Sequence, residues 1–176
     1  MRLRETVLIA LFAALALVFN LAEGLLPMPL PGIKLGAANV FALTALVVLG
    51  ARAAFAVTLL RISLAWLISG NPFAFACSLT GGLLSTTIMI LLYTRFGRFF
   101  SLSWISVAGA WAFNIGQVVA VSLLVGSFAV FYYLPILLVV GTATGWTVGV
   151  LAAMLAVRIK KIRLTGSVRD DETIDR

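Results

Sequence analysis

Polar residues punctuate this chain at long intervals, and between them it is almost wholly apolar. Six apolar runs stand out: about Thr6–Ala22, Leu35–Leu49, Ala53–Ser69, Phe73–Tyr93, Trp104–Gly126 and Phe131–Val157. A helix needs about 20 apolar residues to cross about 30 Å of hydrocarbon. The runs approach or exceed that length, and the last allows for tilt. Turn formers separate them: Pro27, Pro29 and Pro31 with Gly32, then Gly50-Ala51-Arg52, Gly70-Asn71-Pro72, Thr94–Arg98 and Gly126–Tyr133. Proline lacks a backbone donor and constrains the residue before it, so a helix is expected to end ahead of the Pro27–Asn39 stretch. In lipid every backbone polar group must be satisfied within the chain. The pattern therefore predicts an all-α membrane protein of six transmembrane helices.

Composition supports that class. Apolar residues make up 62% of the chain, mean hydropathy is +1.15, and only 11% of residues are charged. A soluble domain of this length has no use for so much apolar surface. One transmembrane domain, residues 1–157, is expected. The tail at 158–176 is basic, with Lys160, Lys161 and Arg163, then acidic at Asp170-Asp171-Glu172, and is expected to be largely disordered beyond about Thr165. Arg2 and Arg4 before an apolar run resemble a signal peptide, but no clear small-x-small site follows and further spans do, so the first run is expected to stay.

The formal charge of +7 reads as loop charge, not as a nucleic-acid footprint. Arg2 and Arg4, Arg52, Arg95 with Arg98, and the Arg158–Arg163 cluster fall at every second loop. The positive-inside rule puts both termini and these turns in the cytoplasm. The Pro-rich stretch, the Asn71 turn and the Gly126–Tyr133 connection then face outside. Trp66, Trp104, Tyr132 and Tyr133 fall near span ends, as interfacial aromatics do.

Several chemistries lack their residues. There is no His, Cys77 is the only cysteine, and Asp occurs only at 170, 171 and 175. No Walker A loop is present and no paired carboxylates lie within a span. No catalytic residues, metal or cofactor are expected, and catalysis by this chain alone is not.

A few polar residues interrupt the hydrocarbon. Arg61 falls in the middle of the third run, where an ionised Arg costs on the order of 3 kcal/mol by insertion scales. It reads either as an anion site or partner of Glu23, or as a structural Arg bonded to backbone carbonyls and to Asn114 or Gln117. Asn114 and Gln117 share a face of the fifth run and serve either as interhelical glue or as ligand contacts. Asn20 and Glu23 close the first run. Lys34 and Asn39 lead into the second, with Asn39 about one and a half turns inside it. Glu23 and Lys34 also read as solvated loop charges. The Pro27–Asn39 stretch would form an outer lip to a site drawn from Lys34, Asn39, Arg61, Asn114 and Gln117. Gly141, Gly145 and Gly149 form a smooth ridge for helix packing. Gly81-Gly82 marks either a kink or the close approach of a neighbour. Ser78, Thr80, Ser85, Thr86 and Thr87 can satisfy their hydroxyls on their own helix and are not counted in the site.

The segment Pro31-Gly32-Ile33-Lys34-Leu35-Gly36-Ala37-Ala38-Asn39 resembles the Gx transporter family, which long carried the label heptaprenyl diphosphate synthase component I. The resemblance continues at Leu60-Arg61-Ile62, Ser78–Ser85, Gly109-Ala110 with Asn114-Ile115-Gly116-Gln117, and Leu134–Leu137 with Gly141 and Gly145. It spans about residues 6–157. Phe113 stands where the family often has His. The family is similar to the S components of energy-coupling factor transporters, which implies a six-helix bundle in a bacterial cytoplasmic membrane with an outward-opening substrate pocket. It also implies a coupling membrane subunit and ATPases as partners. Ala10 and Ala14 match the Ala-x-x-x-Ala spacing with which such proteins dock their coupling subunit. The expected function is uptake of a small molecule with those partners, and the two basic groups among the five site residues point to an anionic one. The alternative is a non-catalytic membrane subunit of heptaprenyl diphosphate or quinone synthesis, or of extracytosolic electron-transfer machinery.

Overall fold

A computed structural model describes residues 3–24, 34 and 36–174, with side chains through residue 161. Pro27, Pro29, Pro31 and Gly32, the outer part of the expected lip, lie outside the described residues. Among the described residues the chain is helices joined by turns, with no strand. The helices are α1 (Leu3–Gly24), α2 (Asn39–Leu49), α3 (Ala51–Ser69), α4 (Pro72–Phe96), α5 (Leu102–Val125) and α6 (Leu134–Ile174), with a 3-10 segment at Phe128–Tyr133 before α6.

The turns are set by local chemistry. Asn71 caps α4, its side chain accepting from the Ala74 amide at 3.1 Å, and Pro72 follows at the first helical position, where a missing donor costs nothing. Gly70 and Gly126 end α3 and α5 with φ of +60° and +69°, the left-handed cap that glycine adopts without penalty. The expected tail from Arg158 begins inside α6, whose backbone stays helical to Ile174.

Five helical segments are long and apolar enough to cross a membrane. The second run departs from expectation. Its helix begins at Asn39, not near Leu35, and has 11 residues, about 16 Å of rise, which is half a bilayer core. Gly36 is the physical reason. It holds φ +85°, outside helical space, and the chain turns at Ala37 and Ala38 before the helix starts. Asn39 is therefore the first residue of α2, not a residue well inside a span.

This half-length helix is also the centre of the fold. α2 packs against α1, α3 and α6, and more lightly against α4. Every residue from Asn39 to Leu46 is buried. A helix that is apolar all round has to be surrounded, and α2 is. On the other side α4, α5 and α6 form a wall in which glycines bring backbones together. A Cβ on Gly116 would lie 2.8 Å from Gly81 Cα, and one on Gly145 would lie 2.8 Å from Val107 Cα. The Gly141–Gly149 ridge thus packs on α5. Gly81 and Gly82 admit α5 and α3 respectively, since a Cβ on the first meets Phe113 and Gln117 and on the second Ile62 and Thr58.

Candidate functional site

The short α2 leaves its N-terminal end deep in the bundle, and polar groups gather there from five of the helices. α1 supplies Asn20 and Glu23, both buried near its C-terminal end. The segment entering α2 supplies Lys34 and the Ala37 amide. α2 supplies Asn39, α3 supplies Arg61, α4 supplies Ser85 and α5 supplies Gln117. Arg61 and Gln117 have no exposed surface at all.

The contacts fall into three hydrogen-bonded groups, brought together by the chain that leads from Lys34 to Asn39. The Lys34 ammonium donates to the Asn20 side-chain oxygen and, at 3.3 Å, to the Asn20 backbone carbonyl. The Lys34 backbone amide donates to Gln117 Oε1 at 3.2 Å. The Ala37 amide donates to Glu23 Oε1 at 2.5 Å. Arg61 Nη2 donates to Asn39 Oδ1 at 2.9 Å, and Asn39 Nδ2 donates to Ser85 Oγ at 3.4 Å. Glu23 feels the charges of both Arg61 and Lys34. Burial pushes the Lys34 ammonium below the ordinary lysine range; Glu23 opposes that shift and Arg61 adds to it.

The start of α2 is partly satisfied by its own turn. The amides of Asn39, Val40 and Phe41 donate to the carbonyls of Gly36, Ala37 and Ala38 at 3.0 to 3.4 Å. What this helix end offers a ligand is the positive end of its dipole and the side chains around it. Glu23 answers that dipole from α1.

Of the five residues expected to form a site, four meet here: Lys34, Asn39, Arg61 and Gln117. Asn114 faces elsewhere, donating to the Leu137 carbonyl of α6 at 2.7 Å. Glu23 and Lys34 are not solvated loop charges: Glu23 is buried and Lys34 half-buried. Arg61 bonds Asn39 rather than Asn114 or Gln117. Thr80 and Thr87 do bond their own helix, but Ser85 receives Asn39, and Thr86 pairs with Thr58 across α3 and α4 at 2.9 Å. Sequence pattern hides the Ser85 contact because a hydroxyl in a helix has a local acceptor by default. Only the depth it shares with Asn39 could have signalled it. Phe113 is buried and closes one side: a Cβ on Gly36 would lie 3.3 Å from its ring. Ala10 and Ala14 are exposed on the outer face of α1.

Among the described residues, four buried side-chain atoms in this cluster carry no hydrogen bond: Asn20 Nδ2, Glu23 Oε2, Arg61 Nε and Gln117 Nε2. A cavity of about 380 Å³ opens at the other end of the bundle between Val47, Tyr93, Leu102, Ala156 and Lys160. It is mainly apolar and gathers no comparable polar set.

The family model for heptaprenyl diphosphate synthase component I matches residues 12–155. The chain belongs to this family. No curated protein and no solved structure matches it. The heptaprenyl diphosphate synthase component I match takes in every residue of the polar cluster, from Asn20 to Gln117. It includes Ala14 but begins after Ala10. Among the described residues, no group of three or more His, Cys, Asp or Glu side chains could hold a metal ion.

Proposed function

We propose that this chain binds a small anionic molecule at the N-terminal end of α2 and passes it across the bacterial cytoplasmic membrane with partner subunits, in the manner of an energy-coupling factor S component. One observation carries the reading. A buried guanidinium, a buried carboxylate and a half-buried ammonium meet at the end of a helix that stops half-way through the bundle. Ionisable groups at that depth are costly and mark pathways or ligand sites. Half-helices whose positive ends face a site near the midplane are a recurring transporter device. In this reading both termini are cytoplasmic. The exposed Arg52, Arg95, Arg98 and Lys160, at the helix ends away from the polar cluster, support that orientation. The site then opens toward the outer face.

The decisive test is ligand binding by the purified chain in nanodiscs, followed by native mass spectrometry. Arg61→Ala is expected to abolish retention of the copurified molecule and uptake in cells, while the protein still elutes as a folded species. Unchanged affinity and uptake in that variant would falsify the anion site. Partner docking is tested separately. Ala10→Phe with Ala14→Phe is expected to leave ligand binding intact and to remove copurifying membrane and ATPase subunits, because both alanines lie on the exposed face of α1.

The name of the matched family favours a second reading, a non-catalytic membrane subunit that assembles with another component of heptaprenyl diphosphate synthesis. It predicts copurification of a synthase partner, indifference to Ala10 and Ala14, and no small molecule displaced by Arg61→Ala.

A further inference from the structure

The unpaired atoms of the polar cluster carry information beyond its net charge, and their meaning rests on the proposed binding role of that cluster. Three are donors: Arg61 Nε, Gln117 Nε2 and Asn20 Nδ2. One is an acceptor, Glu23 Oε2. Each belongs to a residue at least nine-tenths buried: Arg61 and Gln117 at 0%, Asn20 at 1% and Glu23 at 6% exposure. An unpaired buried polar group is expensive, and a cluster of them is rarely retained without a partner.

Their second functional atoms fix them around one point of the chain. Asn20 Oδ1 and Gln117 Oε1 are taken by Lys34, Glu23 Oε1 by Ala37, and Arg61 Nη2 by Asn39. Each amide or carboxylate is thereby held by one end with the other end free. Donors and acceptor are preorganised around the same five or six residues of chain.

A simple anion fits this set poorly. A carboxylate or phosphate would accept from Arg61, Gln117 and Asn20, but it would also meet the free oxygen of Glu23, an acceptor carrying like charge. A ligand that brings its own donor satisfies both halves. We infer that the site takes a carboxylic or similar oxyacid that also carries a hydrogen-bond donor, an ammonium, amide or hydroxyl, beside its acid group. The acid lies toward Arg61 and Gln117, and the donor reaches Glu23. Glu23 is then the residue that sets specificity, separating donor-bearing acids from plain anions.

Glu23→Gln tests this. Gln keeps the acceptor for the Ala37 amide with its one oxygen and presents an NH2 donor to the ligand where Glu23 presents an oxygen. The full chain is assayed in nanodiscs by native mass spectrometry and calorimetry. The molecule that copurifies is identified by fragmentation, and the matched acids alanine, lactate, propionate and succinate serve as competitors. For the wild type, the copurified molecule is expected to contain an acid and a donor, and alanine or lactate to compete better than propionate or succinate. In Glu23→Gln the donor-bearing ligand is expected to weaken by about tenfold or more, as for a charged hydrogen bond, while propionate and succinate gain. Asn20→Ser, which keeps a hydroxyl for Lys34, serves as a second variant if Glu23→Gln is unstable, and is expected to weaken every acid alike.

If the ligand depends on Arg61 but Glu23→Gln leaves the competitor order unchanged, this inference fails and the anion site stands. If no molecule copurifies, no competitor binds and Arg61→Ala changes nothing, the binding role itself fails and the inference with it.

Discussion

Asn114 and Gln117 lie one turn apart on α5, and both are buried, yet they belong to different parts of the protein. Asn114 commits its amide to the Leu137 carbonyl, beside Gly141, in the close-packed wall of α4, α5 and α6. Gln117 accepts from the Lys34 amide and leaves Nε2 unpaired at the head of α2. In the wall, polar groups find partners and glycines remove space. Trp111 Nε1 bonds Thr142 Oγ1 at 2.9 Å, and Thr144 bonds the Val140 carbonyl at 3.1 Å. At the head of α2 the reverse holds: charges meet, and several polar atoms stay unsatisfied. The wall therefore supplies rigidity without a hydrophobic driving force, through close backbone packing. The α2 end keeps buried polar atoms without partners, which costs stability.

The sharpest way to break this comparison is at Asn39, which links the two regions. Its Oδ1 is the hydrogen-bond partner of Arg61 Nη2, and its amide reaches Ser85 on α4. Asn39→Leu leaves a buried guanidinium without that partner. Losing a hydrogen bond to a buried charged group costs about 1.5–3 kcal/mol, so the variant should unfold at lower temperature or denaturant. Asn39→Asp keeps the acceptor and should recover most of the loss. A stable Asn39→Leu protein would mean that Arg61 does not depend on Asn39.

The wall should respond to size rather than charge. Gly116→Leu places side-chain atoms where a Cβ is already 2.8 Å from the Gly81 backbone. Backbone cannot yield as a side-chain tip can. Overpacking of this kind costs about 1–3 kcal/mol, and thermal unfolding in detergent should show it. Ligand affinity of the fraction that remains folded should change little. A variant of normal stability that fails to bind would move the wall into the binding machinery.

Much of this division was legible in the chain. Six apolar runs, the Asn71-Pro72 helix start and the glycine ridge of α6 all follow from pattern and spacing, because helix boundaries and close packing depend on local residue type. Arg61, Asn114 and Gln117 stood out because a polar residue in hydrocarbon demands a partner, and Lys34 and Asn39 because they lead from the proline stretch into the second run. The half-length of α2 did not stand out. Leu35–Leu49 is one apolar run, and its start as a helix is decided by the Gly36 backbone and by Glu23 reaching the Ala37 amide from another helix. The burial of Glu23 is of the same kind: in sequence it follows a helix and precedes prolines, so it reads as a loop charge. The separation of Asn114 from Gln117 is also tertiary. Two amides on one helix face look alike until the packing of α6 takes one of them.

That separation yields the smallest and most diagnostic pair of changes. Asn114→Leu removes one interhelical hydrogen bond whose acceptor, the Leu137 carbonyl, lies inside α6. Such bonds between membrane helices are worth about 0.6 kcal/mol on average, so stability should fall slightly and ligand affinity should hold. Gln117→Leu also deletes one hydrogen bond, the one from the Lys34 amide, and should cost a similar amount of stability. It differs in removing a free donor from the cluster. Affinity should therefore fall by about fivefold or more, as for one neutral hydrogen bond to a ligand. Measured side by side, near-equal shifts in unfolding with unequal shifts in binding support two regions on one helix. Equal losses of binding would merge them, and Asn114 would return to the site through a rearrangement of α6.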